Sequence, residues 1–381
     1  MLGPWRPLLL LLLLPLHCAG DAEDPAPGLR DQLRAAAALC RRYWALLGCQ
    51  VGSRPCDEDQ GVMGPLSSRG WSLPLLGQQY LDILSTWYCR FGDCCDTGDC
   101  RISNDLSGLE SDLQGQVHGQ PLARDLVLRS VKSFLELDQP DKALGLSFHG
   151  GSGTGKNFVA RIMADNLFRD GLRSDCVQMF IATLHFPHPK YVDQYQERLT
   201  DQIQKTQDRC PQTLFIFDEA EKLHPDLLEV LQPQLKRRVP ETQRTKPWRT
   251  FYLFLSNLGG SAINEVVLNL LKAGKSREDI TADQLEHPLK AEIMESTESS
   301  FGHSSIVKEN LIDCFVPFLP LEYHHVRLCA RDVFLSQELP YTEAALDEIA
   351  KMMVYVPKEE KLFSSQGCKS ISQRITYFIE S

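Results

Sequence analysis

Positive charge is in short supply in this chain, and so are long apolar runs. Its 381 residues carry 40 Lys and Arg against 50 Asp and Glu, a formal net charge of −10. Nucleic-acid binding needs a clustered basic face, yet the densest basic run is Lys236-Arg237-Arg238. That triplet reads as a solvated helix end, where cations oppose the macrodipole. No nucleic-acid partner is expected. Beyond the first twenty residues no segment has the apolar length that spans a bilayer, so no transmembrane span is expected either. There is no internal repeat, which argues against solenoids and propellers. There is no Asn-x-Ser/Thr acceptor, so glycosylation cannot report the compartment. The chain ends Ile379-Glu380-Ser381, with no luminal retrieval signal.

What is present begins with a targeting pattern. Residues 1–20 read as a signal peptide: Arg6, the run Leu8 to Leu14, then Cys18-Ala19-Gly20. A signal anchor is the rival, although the run is short for one. Residues 21–108 form a Cys-rich N-terminal extension with Cys40, Cys49, Cys56, Cys89, Cys94, Cys95 and Cys100. In an oxidising compartment this reads as a disulfide framework. Zinc is the alternative, but there is no pair of CxxC knuckles and no histidine among these cysteines. Seven is odd, so at least one thiol is free or pairs outside the group. Leu29 to Leu47 has helical character and Arg54 to Gly70 the composition of a loop.

From 109 to 321 the pattern alternates. Strands are predicted at Leu144 to Phe148, Val177 to Ala182, Thr213 to Phe217 and Phe251 to Leu255. A fifth, Cys314 to Leu319, contains Pro317 and must be short or at an edge. Helices are predicted at Asn157 to Phe168, Tyr191 to Lys205 and Pro225 to Arg238. Strands alternating with helices imply an α/β fold with a central parallel sheet. From 322 to 381 the pattern turns helical, at His324 to Leu335 and Thr342 to Met353, and predicts a small C-terminal helical domain.

The chemistry starts at Gly150-Gly151-Ser152-Gly153-Thr154-Gly155-Lys156-Asn157. A glycine loop between a strand and a helix lets backbone N–H groups cradle phosphates at a helix N-terminus. The usual last residue is Ser or Thr, whose hydroxyl ligates Mg²⁺; here it is Asn157. A plain Gly-rich turn with a surface lysine is the competing account. The apolar strand Leu214-Phe-Ile-Phe217 ends in Asp218-Glu219, where ligands bind in open α/β sheets. Asp218 can hold Mg²⁺ beside phosphates, and Glu219 can act as general base toward water. An acidic helix cap would look the same in isolation. Ser256-Asn257 ends another strand. Its amide can orient the attacking water without taking its proton, although a turn before Gly259-Gly260 would also use Asn.

This set resembles the AAA+ ATPases, and its finer features resemble the torsin family within them. The residues that carry the likeness are Gly153-Thr-Gly-Lys-Asn157, Ala182-Thr-Leu-His-Phe-Pro-His188 and Phe215-Ile-Phe-Asp-Glu219. Asn310-Leu-Ile-Asp313, Val316-Pro-Phe-Leu-Pro-Leu-Glu-Tyr323, Pro357-Lys-Glu-Glu360 and Gly367-Cys-Lys369 add to it. Tyr88-Cys-Arg-Phe-Gly-Asp-Cys-Cys95 resembles the cysteine motif ahead of the torsin ATPase domain, so the likeness spans residues 88–381. It implies an AAA+ P-loop domain followed by a small sensor domain, with ATP and Mg²⁺ as cofactors. Lys156, Glu219, Asn257 and Lys369 would be catalytic, Lys369 as the sensor reaching the γ-phosphate. Gly150 through Asn157 and Asp218 would bind the nucleotide, with Asn157 and Asp218 on the metal. Cys368 would pair with Cys329 in a redox-sensitive disulfide; a purely structural bond is the other reading. His118-Gly-Gln120 resembles the adenine-side segment of Clp-like AAA+ proteins.

No arginine finger can be assigned; Arg327 and Arg331 lie in the small-domain region, and nothing assigns either to that role. The resemblance implies that membrane-anchored activators with luminal domains supply one, and that Glu359-Glu360 lies where they bind. It also implies residence in the endoplasmic reticulum lumen, contiguous with the nuclear envelope lumen, and a homo- or hetero-oligomer. The expected activity is chaperone-like, ATP-driven remodelling of protein partners, weak without an activator. The alternatives are a nucleotide-gated binding module with little turnover and a P-loop small-molecule kinase.

Overall fold

The structure is a computed structural model and describes residues 99–236, 249–296, 299 and 301–379. The signal segment, the helix and loop expected before residue 70, and every cysteine of the extension but Cys100 lie outside the described residues. Cys100 is disulfide-bonded. Those described residues belong to one compact unit, Gln78–Ser381.

Two helices come first: α1 (Leu106–Gln116), whose N-cap Asp105 accepts from the Gly108 N–H, and α2 (Pro121–Leu135), which starts with proline at its first turn. The sheet strands are β1 (Leu144–His149), β2 (Val177–Ile181), β3 (Gln212–Asp218), β4 (Arg249–Ser256) and β5 (Cys314–Pro317). They pair in parallel in the order β2-β3-β4-β1-β5. β1 and most of β3 and β4 are buried, which explains why they read as unbroken apolar runs rather than alternating ones. β5 is an edge strand, as its proline requires.

Register positions the site. His149 lies opposite Ser256 and Pro317, and Asp218 lies opposite Leu255. The segments that follow β1, β3 and β4 therefore leave the sheet at one edge, the carboxyl edge where α/β ligands bind.

The helices α3 (Lys156–Leu167), α4 (Val192–Arg209), α5 (Gly260–Lys272) and α6 (Ala282–Glu295) complete the large region. Val159, Ile162, Met163 and Leu167 on α3 join Leu146, Phe148, Leu214 and Leu253 in one core on one side of the sheet. Phe215, Phe217, Tyr252 and Phe254 stack in a second core with α5 and α6. The helix expected at Pro225 to Arg238 is corrected. It is two short helices, Pro225–Glu229 and Gln232–Leu235. Pro233 cannot donate to an upstream carbonyl, so it starts a new turn instead of extending the old one.

A separate small core is built by α7 (Tyr323–Ser336), α8 (Glu343–Lys351) and α9 (Ile371–Ile379). It contains Val326, Ala330, Phe334, Leu346, Ile349, Ile371 and Ile375. The antiparallel pair β6 (Tyr355–Val356) and β7 (Phe363–Ser364) sits between α8 and α9 in sequence. Among the described residues no helix is long and apolar enough to cross a membrane.

Candidate active site

The glycine loop bends at residues that need left-handed backbone: Gly150, Gly153 and Gly155 have φ of 147, 72 and 111°. Gly155 is the N-cap of α3, so the first N–H groups of that helix open toward the loop. Lys156 is buried. Its Nζ donates to the carbonyls of Gly150 at 2.7 Å and Gly151 at 2.8 Å and to Asn257 Oδ1 at 3.0 Å. Burial pushes its pKa down to about 8, opposed by the nearby charges of Glu221 and Asp218. A buried ammonium held only by neutral oxygens is a strong attractor for an anion.

Asn157 donates its amide to Asp218 Oδ2 at 2.7 Å, so the two proposed cation ligands already touch. Asp218 Oδ1 also caps the Glu219 N–H at 2.9 Å. Glu219 sits in left-handed backbone with φ 56°, a conformation a non-glycine residue keeps only when its surroundings hold it. Both its carboxylate oxygens are engaged, Oε2 by the Thr183 hydroxyl at 2.5 Å and Oε1 by Lys222 Nζ at 2.9 Å. The Thr183 hydrogen bond, followed by Lys222, holds its pKa below the usual carboxylate value. Asn257 donates weakly to Glu221 Oε1 at 3.3 Å, and the other oxygen of Glu221 is buried with no hydrogen-bond partner.

The small helical region reaches the same loop through a glycine pair. Gly367 has φ 51°, and a Cβ there would meet the Gly153 carbonyl oxygen at 2.2 Å; a Cβ on Gly153 would meet the Gln366 oxygen at 2.0 Å. The Cys368 N–H donates to Gly153 O at 3.0 Å. Cys368 is disulfide-bonded to Cys329 on α7. Lys369, next in sequence, lines the same cavity as Lys156, and its charge adds to the lowering of the Lys156 pKa.

That cavity is about 720 Å³. Ser152 to Asn157, Asp218, Glu219, Asn257 and Lys369 line it, together with Val117, His118, Leu321, Asp332, Val333 and Leu335. Two lysines beside a loop of backbone N–H groups, with apolar side chains nearby, suit a nucleotide. Gly150 and Gly151 do not line it, but their carbonyls hold Lys156. No arginine lines it among the described residues. Arg327 pairs with Glu343 and Asp347, and Arg331 with Asp332.

Comparison with known proteins follows from this geometry. The family model described as Torsin matches residues 89–217, and that of the Torsin-1A C-terminal domain matches residues 321–378. Torsin-3A of Homo sapiens is 64% identical, with 99% of each chain covered. Torsin-3A of Mus musculus is 63% identical, with 98% of each covered. The chain belongs to the torsin family. Among solved structures, a closed-state cryo-EM reconstruction of Hsp104 with ATPγS and casein matches with a TM-score of 0.51 at 22% identity. It covers 72% of this chain and 47% of the Hsp104 chain, so the likeness speaks to fold alone. The torsin fold here is that of an AAA+ ATPase: a central parallel sheet flanked by helices, then a small helical region.

Several residues of this torsin site carried no sequence signal that was read. Thr183 lies within the stretch Ala182-Thr-Leu-His-Phe-Pro-His188 but was not given a role. Lys222, three residues after Glu219, could have been found from its i,i+3 spacing. The disulfide between Cys176 and Cys210 was missed as well. Each of those cysteines stands just before a strand, and β2 and β3 are neighbours, which was the available signal. His118 lines the cavity and contacts Asp332. Gln120 is fully buried, and its amide donates to Thr154 O at 2.9 Å and Leu319 O at 2.8 Å. Glu360 of the acidic pair is bonded to Lys272 on α5 at 2.5 Å rather than free in solvent.

Proposed function

We propose that this torsin binds and hydrolyses ATP in the endoplasmic reticulum lumen to remodel protein partners, and that its turnover depends on an arginine supplied by a partner. The observation that carries this is the convergence of Lys156, Asp218, Glu219 and Asn257 on one cavity that no arginine lines among the described residues. Lys156 would move from the carbonyls of Gly150 and Gly151 to the phosphates, a trade a polyanion makes favourable. Asn257 would orient the attacking water and Glu219 would accept its proton. Lys369 would meet the γ-phosphate from the C-terminal side.

The donor set fits a magnesium ion. Asp218 and Asn157 offer a carboxylate and an amide oxygen, and no group of three or more His, Cys, Asp or Glu among the described residues forms a cage on its own. One or two protein oxygens plus phosphates is how this cation is usually held. Bound there, it would neutralise phosphate charge and help activate the leaving group. For this the Asn157 amide must turn its oxygen toward the ion and release Asp218.

Disulfides at Cys176–Cys210 and Cys329–Cys368 support an oxidising compartment. The partners we propose are membrane-anchored torsin activators with luminal domains, near Glu359-Glu360, and further copies of this or a related chain. A second reading, a nucleotide-gated binding module with little turnover, is favoured by one specific feature: both oxygens of Glu219 are already bonded. Steady-state phosphate release with and without an activator's luminal domain separates them. The proposal expects slow turnover that rises by at least about tenfold, since an arginine finger supplies several kcal/mol. Glu219→Gln should bind ATP and retain both it and the activator. Fast turnover that ignores every activator would refute the dependence on a partner.

A further inference from the structure

Arg277 is a buried cation outside the catalytic cluster, in a one-turn segment between α5 and α6. Its side chain is 6% exposed. Nε donates to Gly119 O at 2.7 Å, Nη2 to Pro320 O at 2.7 Å, and Nη1 to Glu322 Oε1 at 3.0 Å. Burying a guanidinium is costly unless it is fully paired, and burial lowers its pKa to about 10, so the charge persists at neutral pH. Replacing such an arrangement with apolar packing is often neutral for stability. Its geometry, however, does something apolar residues cannot: a planar fork joins two backbone carbonyls and one side-chain carboxylate in fixed directions.

Those positions adjoin cavity-lining residues that lie outside the phosphate loop. Val117 and His118 line the cavity and lead into Gly119; Leu321 lines it and lies between Pro320 and Glu322. Gly119 has φ 66°, and a Cβ there would meet the His325 ring at 2.5 Å, so this wall lies flush on α7. The neighbouring Gln120 ties the same segment to the phosphate loop through Thr154 O. Segment 117–120 is thus anchored twice, by Gln120 to the phosphate loop and by Arg277 to segment 320–322.

We propose that Arg277 is a positioning residue for the base of the bound nucleotide, holding the cavity walls at Val117, His118 and Leu321 in place while making no hydrogen bond to the phosphate loop itself. The proposal rests on the nucleotide reading of this cavity. It predicts a split that general destabilisation would not give. Calorimetric titration of the full chain with ADP and with inorganic tripolyphosphate reads it. Arg277→Gln should weaken ADP by at least about tenfold, the scale of one lost charged hydrogen bond. Tripolyphosphate should change by less than about twofold, because Lys156 and Gln120 are untouched. Arg277→Lys keeps the charge beside Glu322 without the fork and should fall between; it also serves if the glutamine variant does not fold. Parallel weakening of both ligands, or unchanged ADP affinity, would overturn the proposal. A wild-type chain that binds neither probe would instead overturn the nucleotide reading beneath it.

Discussion

Gly367→Ala tests whether the C-terminal turn and the phosphate loop act as one piece. The alanine Cβ would lie 2.2 Å from the Gly153 carbonyl oxygen and 2.4 Å from its carbon, with φ at 51°. Left-handed backbone costs a non-glycine residue about 1–2 kcal/mol. The contact is with backbone, so no side chain can rotate away. Relief requires the turn to lift, which breaks the hydrogen bond from Cys368 N to Gly153 O, worth about 1 kcal/mol. Together these come to about 2–3 kcal/mol, applied where the two regions meet. Part of that cost falls on stability and part on nucleotide affinity, because lifting the turn carries Lys369 out of the cavity. Thermal unfolding and titration with ATP should therefore both respond, and the Cys329–Cys368 bond should become easier to reduce. An alanine variant with wild-type melting, wild-type ATP affinity and unchanged thiol labelling would show that the interlock is incidental.

Two further perturbations address the base and the core. Thr183→Ala removes the leading hydrogen bond on Glu219, so the carboxylate pKa should rise toward its ordinary value. Activator-free turnover should then change by at least about threefold against an unchanged ATP affinity, measured by phosphate release; no change in turnover would show that this hydrogen bond does not restrain the base. The second concerns His149, fully buried between the Ser147 hydroxyl at 2.7 Å and the Leu258 carbonyl at 3.1 Å. Burial lowers its pKa from 6.5 to about 3. The unfolded chain therefore binds the extra proton between those values, and stability is full above pH 6.5 and falls as pH drops toward 3. At about pH 5 the loss is about 2 kcal/mol from this group, read as a lower denaturation midpoint. His149→Asn, which keeps a donor for Leu258, should flatten the slope, and an unaltered slope would refute the assignment.

The fold was legible because its signals are local. Unbroken apolar runs announced buried parallel strands, and each motif sits at the end of the run that positions it. The same local logic failed at Pro225 to Arg238, where one proline divides a helix that composition alone would join. The phosphate loop, Asp218, Glu219 and Asn257 could be placed at one sheet edge because parallel strands share a carboxyl end. The contacts that modulate them could not. Thr183 and Glu219 are 36 residues apart, and Arg277 reaches a carbonyl 158 residues away. Such pairings depend on register and loop path, which leave no periodicity in the sequence. Cys329 and Cys368 came from family likeness, while Cys176 and Cys210 needed the knowledge that β2 and β3 are adjacent.

Most of the polar groups proposed to act in the site are already hydrogen-bonded. Lys156 is satisfied by two loop carbonyls and Asn257, Asn157 by Asp218, and Glu219 by Thr183 and Lys222. A ligand gains little by offering each group one more neutral partner, since it must replace bonds already made. Phosphates do better because they exchange a carbonyl for an anion at a buried ammonium, so binding can proceed without help. Hydrolysis is different. Each oxygen of Glu219 keeps a lone pair for water, but the bonds from Thr183 and Lys222 lower its basicity and so its fitness as a base. Whatever contacts the Thr183 segment or supplies new positive charge can shift that balance. On the proposed roles, nucleotide binding and cleavage are separable, and cleavage is the step at which the proposed partner would act.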